Sequence, residues 1–223
     1  TSHNACAHID DLLDIVKGVN HLLENDGVFV VEVGYFVDVY NNTWFDTIYH
    51  EHLDFHTLAP FEKLFKRVGM EMIGAERISP QGGSIRIFSQ KLGGKLKKDS
   101  SIGNLIALEN SLGLNQVETF HKFNKKINVV KKDLKKLVKE LKNQGKTIAG
   151  FGAPTKATTL MQHFDLNAEV LDFIVDDNPL KQGLYSPISH IPIFSSDVLY
   201  DLKPDYVLIL AWNFAKPIMN AHI

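Results

Sequence analysis

Thr147-Ile148-Ala149-Gly150-Phe151-Gly152-Ala153-Pro154-Thr155-Lys156 decides the fold class of this chain. An apolar run gives way to two glycines, then to a proline at the first turn of a helix reaching Phe164. A second apolar run, Val170–Val175, ends in Asp176-Asp177-Asn178-Pro179, and a third, Tyr206–Trp212, follows Lys203-Pro204-Asp205. Strand, glycine turn, helix and a strand with a terminal acid is the plan of half a nucleotide-binding α/β fold.

The same residues bound what this region can hold. Gly150 and Gly152 at a strand end expose backbone N–H groups at the positive end of a helix, which suits phosphate. Lys156 adds a mobile cation one turn on. Asp176 and Asp177 lie about 20 residues past the glycines, where a dinucleotide fold places its ribose-binding acid. Thr155 stands where the third fingerprint glycine belongs, so a nicotinamide dinucleotide is a weak fit and a phosphate-bearing ligand a better one. A tight strand-to-helix turn without ligand is the alternative reading of the glycines.

Upstream, the plan repeats. Residues Ile9–Leu23 place Leu12, Leu13, Val16, Val19 and Leu22 on one helical face, with Asp10 and Asp11 at its positive end. Asn25-Asp26-Gly27 breaks the helix, and Val28–Val33 reads as a strand buried on both faces of a parallel sheet. Function in such sheets lies at the strands' carboxyl ends. The segment Gly34–His56 therefore reads as an active-site loop. It carries Tyr49-His50-Glu51-His52, a phenol, two imidazoles and a carboxylate. Imidazole titrates nearest neutral pH and is the usual proton carrier. Asn4 and His8 fall at the carboxyl edge of an earlier strand expected outside the chain; from position alone Asn4 is an ordinary loop or capping residue.

Thr57 opens another helix, with Leu58, Phe61, Leu64, Phe65 and Val68 on one face and Gly69 at its end. Two strand-like runs, Glu71–Ile78 and Ser84–Phe88, flank the turn Gln81-Gly82-Gly83 and predict an antiparallel pair. Residues Lys91–Ser101 read as a linker. A long helix is expected over roughly Gln116–Leu141, its lysines forming a solvated face.

Composition excludes several classes. The 223 residues carry a net charge of −2, against the excess of Lys and Arg that a nucleic-acid surface needs. No apolar run approaches the ~20 residues of a membrane span. No leader is visible, and the single Cys6 forms no internal disulfide or cysteine-based zinc site, so a cytoplasmic, reducing compartment is expected. Both ends look abrupt, as in a fragment.

Five blocks carry a family resemblance: Asp46–His52, Gly82–Arg86, Gly150–Lys156, Val175–Tyr185 and Leu210–Phe214. Together they resemble the S-adenosylmethionine-dependent C-methyltransferases that act on nucleotide-linked keto-deoxysugars. The resemblance runs along nearly the whole chain. It implies the C-terminal part of a class I methyltransferase sheet with an antiparallel hairpin over 1–92. A Rossmann-like α/β domain that binds the sugar nucleotide is implied over 93–223, truncated at its end. The family's four-cysteine zinc segment and its glycine-rich adenosylmethionine loop are not in the chain. Zinc is expected only in that missing N-terminal segment, and no metal in residues 1–223.

The resemblance also implies roles. His52 is the general base, with Tyr49 and Glu51 as its companions and Asn4 near the substrate; His50 falls at a variable position. Gly150, Gly152, Ala153, Lys156, Asp176, Asp177, Asn178 and Lys181 are expected to contact a nucleotide-diphosphate sugar, thymidine diphosphate being the suggested carrier. An NAD(P)-dependent oxidoreductase and a non-catalytic sugar-nucleotide-binding module are the alternatives from other classes.

Overall fold

The computed structural model describes residues 1–222. They form two compact units: Thr1–Trp44 with His50–Phe123, and Phe45–Tyr49 with the chain from Asn124 onward.

The first unit is built on a four-stranded sheet. Its strands are β1 (Ser2–His3), β2 (Phe29–Gly34), β3 (Met70–Ile78) and β4 (Ser84–Lys91), in the order β1-β2-β4-β3. β1 lies parallel to β2, so the end of the strand expected outside the chain is present. β2 pairs antiparallel with β4 on its other side, which makes the sheet mixed rather than parallel around β2. The hairpin of β3 and β4 forms as predicted. At its turn, the space a side chain would need at Gly82 and Gly83 is filled by the Trp44 ring and the Asp38 carboxylate.

Helix α1 (Leu12–Leu22) starts where Asp11 accepts the Asp14 backbone N–H at 2.9 Å, satisfying a donor that the first turn leaves open. The segment after β2 is not simply a loop. It contains α2 (Phe36–Asn42) and a 3-10 turn, Phe45–Thr47. Helix α3 (Leu58–Arg67) buries Leu58, Phe61 and Phe65 as its spacing requires. Val31, Val33, Ile85 and Ile87 of the sheet complete this core.

Helix α4 (Ser101–Ser111) follows the Lys- and Gly-rich segment and has no counterpart in the sequence reading. Residues 93–123 pack with the first unit: Ile102 is buried in its core, and Leu105, Ile106 and Leu108 lie against it. Helix α5 (Val117–Asn143) begins in the first unit, and its residues from Asn124 belong to the second.

The second unit has four parallel strands: β5 (Ile148–Phe151), β6 (Phe173–Val175), β7 (Ile193–Phe194) and β8 (Tyr206–Ile209). Their order, β7-β6-β5-β8, is the doubly wound arrangement, with a switch point between β5 and β8. Helices α6 (Ala157–Phe164), α7 (Val198–Leu202) and α8 (Ala215–His222) complete it. Among the described residues, no helix is long and apolar enough to cross a membrane.

Candidate functional site

In the first unit, chemistry-bearing residues gather at the carboxyl edge of the parallel pair β1 and β2. Asn4 directly follows β1 with φ of 51°, and its backbone N–H donates to the Glu32 carbonyl at 2.8 Å. Asparagine tolerates this left-handed conformation because its short polar side chain bonds locally. His8 ends the short helical turn Cys6–His8 that comes next. Its ring lies 5.0 Å from that of His52, tilted by 60°. The Leu53 backbone N–H donates to the Ala7 carbonyl at 2.8 Å, which ties the His52 segment to this turn. His52 is partly exposed, with Phe55 edge-on at 6.1 Å.

A third imidazole sits deeper. His56 is buried against Phe61 at 5.0 Å, and its Nε2 has no hydrogen-bond partner. Burial holds its pKa below the ordinary histidine range, and His52 pushes the same way; Asp54 and the Cys6 backbone oppose them. Burial therefore favours the neutral form of the His56 ring. From the sequence, His8 falls at the carboxyl edge of an earlier strand and His56 closes the loop; their grouping depends on how β1 and β2 align. Glu51 is exposed, 3.9 Å from the His50 imidazole. Tyr49 belongs to the second unit, whereas Glu51 and His52 belong to the first.

The second unit brings its expected residues to the carboxyl ends of β5, β6 and β8. The glycines are committed to the fold. Gly150 lies within β5, where a side chain would meet Leu210 at 3.0 Å and Ile174 at 3.1 Å. Gly152 has φ of 89°, and a Cβ there would meet the Ala211 Cβ at 2.8 Å. The Gly152 N–H donates to the Val175 carbonyl at 2.7 Å, and the Ala153 N–H to Asp176 Oδ2 at 2.7 Å.

Asp176 also accepts the Asn178 N–H at 2.9 Å and the Lys181 ammonium at 3.2 Å. Burial alone would raise its pKa, but these donors outweigh it and hold the carboxyl below the usual range. Asp177 is exposed, 3.7 Å from His222. Asp176 and Lys181 are therefore brought together with Ala153 and Asn178, while Asp177 faces elsewhere.

Lys156 is nearly enclosed. Its ammonium donates to Asn213 Oδ1 at 2.8 Å and lies 3.9 Å from Asp46 Oδ2. Asp46 is wholly buried, and its other oxygen, Oδ1, accepts the Trp212 indole N–H at 2.9 Å. Burial pushes the Asp46 carboxyl up and the Lys156 ammonium down, and each opposes the shift of the other. Asp46, Trp212 and Asn213 stand in the family-like blocks, and nothing in the sequence alone gives them a role. Among the described residues, no group of three or more His, Cys, Asp and Glu is arranged to hold a metal ion.

A known family and a known protein resemble this chain. The family described as the C-methyltransferase C-terminal domain matches residues 79–223. The C-methyltransferase NovU of Streptomyces niveus is 36% identical over 214 residues, which cover 96% of this chain and 51% of that protein. The chain spans about half the length of the curated relative it matches.

Proposed function

This chain belongs to the C-methyltransferase family, and from that premise we propose that it is part of an enzyme methylating a carbon beside the ketone of a nucleotide-linked keto-deoxysugar. A carbon next to a carbonyl is acidic enough for an enzyme to deprotonate. The base needs a pKa near the working pH and hydrogen-bond reach to that C–H, which an imidazole supplies. His52 takes this role. The observation that carries it is its placement: a partly exposed ring beside His8, at the carboxyl edge of a strand pair.

The other residues follow from charge. Removing the proton moves negative charge onto the ketone oxygen. Tyr49, three residues before His52, donates its hydroxyl to that oxygen, and donors aimed at growing charge give large rate effects. Glu51 and Asn4 border the same reacting centre, Asn4 held by its backbone bond to Glu32. In the second unit, the Lys181 ammonium on Asp176 lies at a rim suited to the sugar nucleotide's diphosphate. The enclosed Lys156 and the N–H groups of Gly152 and Ala153 already have protein partners.

Adenosylmethionine, when bound, supplies the electrophilic methyl group. The described residues do not form its cradle: the turns after β1 and β2 read Asn4-Ala5-Cys6 and Tyr35-Phe36, without a glycine-rich loop. What the chain's own residues contribute is proton removal and enolate stabilisation.

The test is His52→Asn in the complete enzyme, assayed with a thymidine-diphosphate-linked keto-deoxysugar and adenosylmethionine. Turnover should vanish while calorimetric binding of thymidine diphosphate persists. Near-normal turnover would reject His52 as the base.

A further inference from the structure

Within the first unit, the chain just past His52 is stitched to the carboxyl ends of β1 and β2. The Leu53 N–H donates to the Ala7 carbonyl at 2.8 Å, next to His8. Tyr35, directly after β2, pairs with His56 in a parallel bridge, and the Phe36 N–H donates to the His56 carbonyl at 3.0 Å. A further bond comes from a side chain: the Cys6 backbone holds the His56 ring and favours its protonation, as a carbonyl acceptor does. Nε2 of that ring has no partner, so Nδ1 is the nitrogen that donates to Cys6.

An imidazole is not what packing alone selects for this place. His56 is 7% exposed, and its ring centre lies 5.0 Å from that of Phe61 in α3. Burying a polar ring with one nitrogen unsatisfied costs free energy that an aliphatic side chain in the same space would not. What the ring contributes is a directional bond to the turn Cys6–His8.

The consequence is geometric. Cys6 lies just before His8 in the chain, and His56 follows His52 by one short extended segment. The His8 and His52 rings are 5.0 Å apart, tilted by 60°. A bond from His56 to Cys6 therefore ties the backbone beneath one imidazole to the backbone beneath the other.

We propose that His56 is a positioning residue: by donating to the Cys6 carbonyl it fixes the His52 imidazole relative to His8 and to the ends of β1 and β2. This rests on the role given to His52 above. A misplacement of about 1 Å at a reacting group can cost on the order of 100-fold in rate.

The experiment is kinetic, in the complete enzyme with a thymidine-diphosphate-linked keto-deoxysugar and adenosylmethionine. His56→Leu fills the space without a donor and should lower kcat roughly 10–100-fold, with KM for the ketosugar and calorimetric affinity for thymidine diphosphate unchanged. His56→Asn puts an amide N–H close to where Nδ1 stood and should recover most of that loss. His56→Gln reaches toward the Nε2 position instead and should not. The contrast between these two carries the test if His56→Leu fails to fold. Wild-type kcat in His56→Leu, a loss confined to KM, or equal kcat in His56→Asn and His56→Gln overturns the proposal. Near-normal turnover in His52→Asn rejects the base itself, and this inference with it, whatever the variants at His56 do.

Discussion

The Tyr35 hydroxyl donates to Glu109 Oε1 at 2.9 Å, although 74 residues separate them along the chain. The same oxygen accepts the Leu58 N–H at 2.6 Å, so one carboxylate serves both a buried phenol and the first turn of α3. An acid at a helix N-terminus also meets the positive end of the dipole. Glu109→Ala leaves two buried donors without partners and should cost about 3 kcal/mol. Glu109→Gln keeps an accepting oxygen and should cost markedly less. Urea denaturation of both variants checks the order.

Asp176 is expected to matter before any ligand arrives. Its carboxylate takes the Ala153 and Asn178 N–H groups, so Asp176→Ala strands donors in the turns after β5 and β6. The expected loss is about 2 kcal/mol, seen as a lower melting temperature without ligand. Asp177→Ala, at an exposed carboxylate, should stay within about 0.5 kcal/mol.

The two glycines of the turn should fail for different reasons. Gly152→Ala forces a side chain into a left-handed backbone and into the Ala211 Cβ, both of them fixed features. Roughly 1–3 kcal/mol of strain is expected from the backbone alone. Gly150→Ala meets side-chain atoms, Leu210 Cδ1 and Ile174 Cγ1, which need to shift by only a few tenths of an ångström. Thermal melts should rank Gly152→Ala as the less stable.

Acid should loosen the second unit through Asp205. The Lys146 ammonium, the Thr147 backbone N–H and the Thr147 hydroxyl hold this carboxylate's pKa down to about 2. A lowered folded pKa means that the unfolded chain binds the proton more readily. The contribution is present above the ordinary value of 3.8 and lost as pH falls through about 2. Asp205→Asn should flatten the pH dependence of the melting temperature across that window.

The elements that could be read from the sequence were those whose pattern is local. β5, β6 and β8 announce themselves as apolar runs bounded by glycine or acid, and α3 by its spacing. β7 spans two residues, too few for any period to show. Helix α2 carries Phe36, Val37 and Val39, residues that favour strands; burial of this face decides its form. Helix α4 scatters its apolar residues among Gly103, Asn104 and Glu109, so it resembles more linker until the core it covers is known. The site divides in the same way. Tyr49 and His52 lie within four residues of sequence and were visible at once, whereas the pairing of His8 with His52 and of Asp46 with Trp212 depends on strand alignment and on a 166-residue return of the chain.

The reach of Glu109 also sets where this chain can be recombined with a relative. A chimaera joined at residue 92 would inherit Tyr35 and Leu58 from one parent and their shared carboxylate from another. Grafts that exchange the second unit should keep the chain from Tyr35 through Glu109 from a single parent, and place the seam in the helix that follows.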